Sequence, residues 1–178
     1  MKTFLGVLHS TYYNDSVNQQ ITLEHEAAHV AAALFCGLAV VSASVRLGDD
    51  GNPVGVTIAA AGPCDQVYYS WCVFYLFPYV WETKQLGVSY PDAVFSCSAD
   101  LKNYSHYVTL LWPKEPCVGF NEITEECHKL LNNPLVLHTV QTIAGELAKQ
   151  PTLEQGDIYR AWAEVVKRFE IEQPPTGS

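Results

Sequence analysis

The stretch LEHEAAHVAAALFCG, residues 23–37, decides the fold, because it has the composition and spacing of a buried helix. One stripe at helical spacing is apolar except for a single histidine, and consists of Ile21, His25, Ala28, Ala32 and Phe35. Gly37 stands where helices commonly end in a left-handed residue. We therefore expect a helix over residues 16–36. A histidine among alanines on the buried stripe indicates that something small lies against this face.

Within this helix, residues 25–29 read HEAAH and match the pattern HExxH. Side chains four positions apart lie one turn apart on the same face, so both imidazoles can bind one metal ion. Glu26 reaches toward a water molecule that the ion activates, and can take its proton. Because His25 lies on the buried stripe, two ordinary surface histidines are the weaker interpretation. The pattern predicts a zinc site made by His25 and His29, with Glu26 as general base.

A catalytic zinc site usually has a third protein ligand and one open position. The pattern HExxHxxGxxH would need glycine and histidine where the chain has Ala32 and Phe35, so that arrangement is excluded. The other histidines have no fixed relation to the motif, and spacing alone leaves Asp, Glu and Cys candidates open. A structural zinc site usually has four Cys or His ligands, and would leave Glu26 without a role.

The rest of the chain is typical of a mainly α (α+β) fold with a small β-hairpin or sheet. Segments 39–47 and 54–60 alternate and are rich in β-branched residues, with GDDGNP between them, which predicts the hairpin. Glycine, proline and capping signals predict further helices over residues 66–87, 98–112, 122–131, 134–149 and 153–169. A loop is expected from residue 87, with Ser98 capping the helix after it. We expect one domain over residues 1–170 and a disordered tail over residues 171–178.

Residues 67–81, VYYSWCVFYLFPYVW, carry no charge and are strongly aromatic. A transmembrane helix needs about 20 apolar residues, and this run is shorter and contains Pro78. We expect a buried central helix and no membrane span.

Charge and cysteine content narrow the function classes. The formal net charge is −9 and no basic run exists, which argues against nucleic acid and anionic membranes as partners. The six cysteines form no CxxC pair, in a chain large enough to bury a core without disulfides. We expect reduced thiols and a cytoplasmic protein.

Four segments resemble the peptidase domain of the FtsH-like ATP-dependent zinc metalloproteases. Residues 23–37 resemble the HEAGH helix of that family, and residues 41–57 its following hairpin. Residues 98–108, SADLKNYSHYV, are similar to its S-x-D-L motif, and residues 139–162 to its C-terminal helices. The resemblance implies a helical zincin-type, FtsH peptidase-like fold.

Carried onto this sequence, the resemblance makes Asp100 the third zinc ligand. A carboxylate at the start of a helix is also a suitable oxygen donor. Cys97 and Glu82 stay open as alternative ligands. The resemblance further implies that the hairpin edge binds substrate as an added strand, through Val54, Gly55, Val56 and Thr57.

The chain departs from the family in two ways. Ala28 replaces the glycine of the motif, and the chain has neither a GxxxxGK[ST] phosphate loop nor a transmembrane helix. We therefore expect a stand-alone zinc metalloendopeptidase, without its own ATPase, that hydrolyses flexible or unfolded polypeptides. A separate ATPase or protein partner, and a homo-oligomer, stay open. The alternative function is a zinc-binding, catalytically silent interaction or regulatory module.

Overall fold

The HEAAH segment lies in the middle of α1 (Asp15–Phe35), which contacts the sheet on one side and two further helices on the others. The structure, a computed structural model, describes residues 15–49, 51–61, 67–113 and 120–172. α1 ends at Phe35, one residue before the expected end, and Gly37 follows as the expected left-handed residue with a φ of 75°. The amide of Leu38 donates to the carbonyl of Ala33 at 2.9 Å, which satisfies a helix-end carbonyl in the Schellman arrangement.

Five alanines let the neighbours of α1 approach closely. These alanines are all fully buried: Ala27, Ala28, Ala31, Ala32 and Ala33. The small side chains allow α6, α2 and the sheet to pack on α1 at short range. The HExxH helix is therefore a rigid central element rather than a surface helix.

The sheet has three antiparallel strands in the order β2-β1-β3. They are β1 (Ala39–Leu47), β2 (Pro53–Ala60) and β3 (Thr152–Glu154). β1 and β2 form the predicted hairpin, in which Leu47 pairs with Pro53 and a bulge lies between Val40 and Ser42. β2 is consequently an edge strand of this sheet, beside α1.

Six helices follow the hairpin in the described part of the chain. They are α2 (Val67–Lys84), α3 (Tyr90–Ser96), α4 (Ser98–Leu111), α5 (Phe120–Leu131), α6 (Pro134–Lys149) and α7 (Gln155–Glu172). α2 carries the aromatic run through Pro78 into the core, with Phe77 and Trp81 among the largest fully buried side chains. No helix in the described ranges is long and apolar enough to cross a membrane.

The mainly helical fold with a small sheet is confirmed, and the differences from the predictions are local. α3 forms where a loop was expected, because Ser89 caps it and Pro91 is favoured in a first turn. Cys97, not Ser98, is the N-cap of α4, and its side chain makes no capping hydrogen bond. The short strand β3 was not predicted.

Two expectations fall partly outside the described residues. α7 continues to Glu172, so residues 171 and 172 belong to a helix rather than to the expected tail, and residues 173–178 lie outside the described ranges. Cys72, Cys97 and Cys127 are buried and form no disulfide, as expected of reduced thiols. Cys64 and Cys117 lie outside the described residues.

Candidate metal centre

His25 and His29 project from consecutive turns of α1 into one cleft, and both are nearly buried, at 8% and 4% exposed. Their ring centroids are 5.0 Å apart. Oδ2 of Asp100 lies 3.1 Å from Nε2 of His25 and 3.4 Å from Nε2 of His29. The two Nε2 atoms and one carboxylate oxygen therefore converge on a common point.

Asp100 comes from the first turn of α4, which begins directly after Cys97, the C-cap residue of α3. Cys97 separates the two helices, and its own amide bonds the carbonyl of Ala93 at 3.0 Å, so the chain is fixed immediately before the aspartate. A carboxylate in a first helical turn is also favoured by the helix dipole. The short helix that the sequence did not predict thus helps to place the predicted Asp100.

Glu82 and Cys97, the two alternative ligands, lie on the Nδ1 side of His25. Oε1 of Glu82 is 2.7 Å from Nδ1, and Sγ of Cys97 is 3.9 Å from the same atom. The second carboxylate oxygen of Glu82 accepts a hydrogen bond from the Ser96 hydroxyl at 2.6 Å. Glu82, which is 1% exposed, is therefore fully engaged by neighbours and orients the ring from behind.

His29 is oriented in the same way by the main chain. Its Nδ1 lies 3.0 Å from the carbonyl oxygen of Phe74. A carbonyl oxygen can only accept, so Nδ1 carries the hydrogen, and the lone pair of a neutral ring is at Nε2. The Phe74 ring packs on the imidazole with centroids 4.5 Å apart.

The carboxylates around the two histidines favour the binding of a positive charge. Burial lowers the pKa of His25, but hydrogen bonds to Asp100, Cys97 and Glu82 and the charge of Glu26 raise it well above 6.5. Burial also opposes ionisation of Asp100, yet hydrogen bonds from His25 and His29 hold its pKa well below its usual range. The carboxylates around His25 therefore hold a proton in place at neutral pH. A bound cation would satisfy the same carboxylates.

Glu26, the predicted general base, is also nearly buried and faces the hairpin. Its Oε2 accepts a hydrogen bond from the Thr57 hydroxyl at 2.7 Å. Its Oε1, Cγ and Cδ lie so close to Gly55 that a Cβ at this position would overlap them. The carboxylate is thus held directly against β2.

A cleft of about 490 Å³ is lined by these groups with the exception of Cys97. His25, Glu26, His29 and Asp100 line it together with the first half of β2, residues 53–57. The predicted catalytic, metal and substrate residues are therefore brought into one cavity. Within the strand, however, Val54 and Val56 are about half exposed, at 44% and 49%, while alternate residues face α1.

The residues present fit zinc. Two imidazole nitrogens and one carboxylate oxygen at a cleft are the ligand set of a catalytic zinc with an open position. A second group, His25, Glu82 and Cys97, also has its atoms within 4.8 Å of one another, but all three residues are buried. Because Glu82 already binds both His25 and Ser96, this second group is better explained as support for the first.

No protein-family model matches the chain, and no curated protein matches it in sequence. The resemblance to the FtsH-like peptidases therefore stays a prediction.

The sequence did not predict the contacts that support the two histidines. Neither the Phe74 carbonyl nor the Ser96 hydroxyl carries a signal in the sequence, because both depend on how α2 and α3 pack.

Proposed function

We propose that this protein is a zinc-dependent metalloendopeptidase that hydrolyses peptide bonds in flexible or unfolded polypeptides. The observation that carries the proposal is the position of Asp100, whose Oδ2 faces Nε2 of both motif histidines at 3.1 and 3.4 Å. These donors border a cleft rather than a closed interior. That supports a catalytic site over a structural one.

The proposed mechanism assigns a separate task to each group. When bound, zinc supplies Lewis-acid chemistry, polarising the scissile carbonyl and lowering the pKa of water. Glu26 lines the same cleft, and its carboxylate takes a proton from the attacking water and passes it to the leaving amine. Glu82 and the carbonyl of Phe74 hold the imidazoles by their Nδ1 atoms, so that both Nε2 atoms stay directed at Asp100.

An extended polypeptide is the substrate that the cleft suits best. Residues 53–57 of β2 line it, and β2 is an edge strand of the described sheet. An edge strand can pair its main chain with an added strand irrespective of sequence. A flexible segment can adopt this extended form, whereas the same residues inside a folded domain cannot.

The same observations support an assignment to the FtsH-like peptidases. The HExxH helix, the hairpin beside it and an aspartate in the first turn of α4 occur in the order that the resemblance implies. We take the fold to be of the helical zincin type on this basis.

Metal content and hydrolysis test the proposal together. Purified protein should bind one zinc per chain and cut an unfolded casein substrate, and chelation should abolish the cutting reversibly. Glu26→Gln should retain zinc and lose at least about a hundredfold in rate, because it keeps the shape of the base but cannot accept the proton. Glu164→Gln on the exposed face of α7 is the matched control and should behave as wild type.

The ligand assignment and the alternative function are tested by the same assays. Asp100→Ala should lose both zinc and activity, whereas Asp49→Ala, an exposed aspartate of the hairpin turn, should lose neither. Wild-type protein without zinc at micromolar supply would refute the proposal. Bound zinc without hydrolysis of any unfolded substrate would favour the silent interaction or regulatory module instead.

A further inference from the structure

The side chains of β2 divide between two faces. Val54, Val56 and Ile58 are about half exposed, while Gly55 and Thr57 face α1. Thr57 therefore points toward the protein's own helix. Its hydroxyl lies 2.7 Å from Oε2 of Glu26 and 3.2 Å from the main-chain oxygen of the same residue.

Gly55 has no side chain and thereby leaves space for the carboxylate of Glu26. A Cβ at Gly55 would overlap Oε1, Cγ and Cδ of Glu26, so the carboxylate occupies the space that any other residue would fill. No left-handed backbone is involved, because the positive-φ glycines of the described chain are Gly37, Gly51 and Gly87. Close approach is the feature that requires glycine here.

We propose that Thr57 is a positioning residue that acts through Glu26, and that Gly55 provides the space in which it does so. The inference rests on the proposed function, and it changes one part of the sequence-based expectation. Gly55 and Thr57 were expected to contact substrate with the rest of the strand. Both positions instead face Glu26, the proposed general base. Substrate would then pair with the main-chain groups of β2.

The proposed role follows from the chemistry of a carboxylate with two oxygens. The Thr57 hydroxyl donates to Oε2, which removes the rotational freedom of the group and leaves Oε1 to accept the proton of the attacking water. The proton then passes from Oε1 to the leaving amine, and Thr57 keeps its own proton throughout. Glu26 returns to its ionised form, so the proton balance of the cycle closes.

Kinetics separate positioning from substrate binding. Thr57→Val removes the donor at nearly constant shape and should lower kcat about tenfold to a hundredfold, with KM and zinc content unchanged. Thr57→Ser keeps the hydroxyl and should restore most of kcat. Thr152→Val, on the exposed face of β3, is the matched control and should not change kcat. A rise in KM with unchanged kcat would assign Thr57 to substrate binding and overturn the inference.

A double-mutant cycle on the metal-free protein gives a readout that needs no activity. A net hydrogen bond is worth about 1 kcal/mol, so Thr57→Val should shift the urea unfolding equilibrium constant about fivefold when Glu26 is present. In a Glu26→Ala background the same change should shift it less than about twofold. Equal shifts in both backgrounds would mean that the two side chains are not coupled, and would overturn the inference.

Failure of the proposed function and failure of the positioning role would give different results in these two experiments. If wild-type protein hydrolyses nothing, the proposed function is wrong, while the cycle still tests whether Thr57 holds Glu26. If wild-type protein is active and Thr57→Val matches it in kcat, the proposed function stands and the positioning role is wrong.

Discussion

Oε1 of Glu82 lies 2.7 Å from Nδ1 of His25, a residue 57 positions earlier in the chain. On the other side of the same ring, Asp100 lies 3.1 Å from Nε2. The two nitrogens of an imidazole point in different directions, so one ring cannot direct the same lone pair at both carboxylates. Glu82 and Asp100, which spacing alone could not rank as ligands, therefore have different tasks. Glu82 fixes the ring, and Asp100 faces the proposed metal position.

Glu82→Gln should weaken zinc binding without abolishing it. Loss of a partner that orients a ligand typically costs tenfold to a hundredfold in metal affinity, so we expect about that loss. Competition with a chromophoric chelator measures it. Glu146→Gln on α6 is the matched control, because this partly exposed glutamate forms its ion pair with Lys149 and lies outside the cleft. A larger loss for Glu82→Gln than for Asp100→Ala would reverse the two assignments.

Cys97→Ser should leave zinc affinity within about twofold of wild type. The sulfur lies 3.9 Å from Nδ1 of His25 and is on the side of the ring away from Asp100. Burial also raises the pKa of the Cys97 thiol, against hydrogen bonds from His25 and Ser96, so the thiolate that metals require is disfavoured. The Co²⁺ form of the wild-type protein should accordingly lack the near-ultraviolet band of a cobalt–thiolate bond. Such a band, lost in Cys97→Ser, would place the thiol on the metal.

Zinc affinity should rise with pH from about 6.5 until the pH passes the raised pKa of His25. In the metal-free protein both nitrogens of His25 face carboxylate oxygens, so the ring holds both protons, and its pKa lies well above 6.5. A zinc ion must displace the Nε2 proton, so binding below the raised pKa should release a proton. Calorimetry in buffers of different ionisation enthalpy counts that proton. Affinity that is flat over this range would show that His25 is neutral before zinc binds.

The same shifts set the pH range in which the metal-free fold is most stable. The pKa of His25 is raised on folding, so its contribution is complete below about 6.5 and is lost as pH rises through the folded pKa. The pKa of Asp100 is lowered, so its contribution is present above its ordinary 3.8 and is lost as pH falls. Urea unfolding of the metal-free protein should therefore show the cluster's largest contribution between about pH 4 and 6.5. In Glu82→Gln the folded pKa of His25 should be raised less, so the stability lost as pH rises above about 6.5 should be smaller.

The sequence predicts the elements that depend on local signals. α1, the hairpin and α6 follow from periodicity, from the turn residues and from the Asn133-Pro134 pair, whose asparagine side chain accepts a bond from the amide of Leu135 at 3.0 Å. β3 has only three residues and forms because β1 offers it a second edge. No local pattern predicts a strand that short.

The residues of the candidate site also differ in how far the sequence alone predicts them. His25, Glu26 and His29 are adjacent in sequence on a helix, so their convergence follows from helix geometry. Asp100 needed a family resemblance, because it lies 75 positions after His25 and four helices or strands, β1, β2, α2 and α3, intervene. The role of Thr57 required the structure itself, since only the packing of β2 on α1 shows that its hydroxyl faces Glu26.

Gly55→Ala tests the packing of β2 on α1 from the other side. The added Cβ would overlap the Glu26 carboxylate, so either the glutamate or the strand must shift. Overpacking of this kind typically costs about 1–3 kcal/mol, and we expect a loss in that range from the free energy of unfolding. Hydrolysis should fall at least about tenfold while zinc stays bound, because the three atoms nearest to the added Cβ all belong to Glu26 and none to a proposed zinc ligand. Gly145→Ala on α6 is the matched control: nothing lies within 4 Å of its added Cβ, and alanine favours a helix, so stability should rise by up to about 1 kcal/mol with activity unchanged. Full activity in Gly55→Ala would mean that Glu26 works from a position away from β2, and would remove the main support for its anchoring.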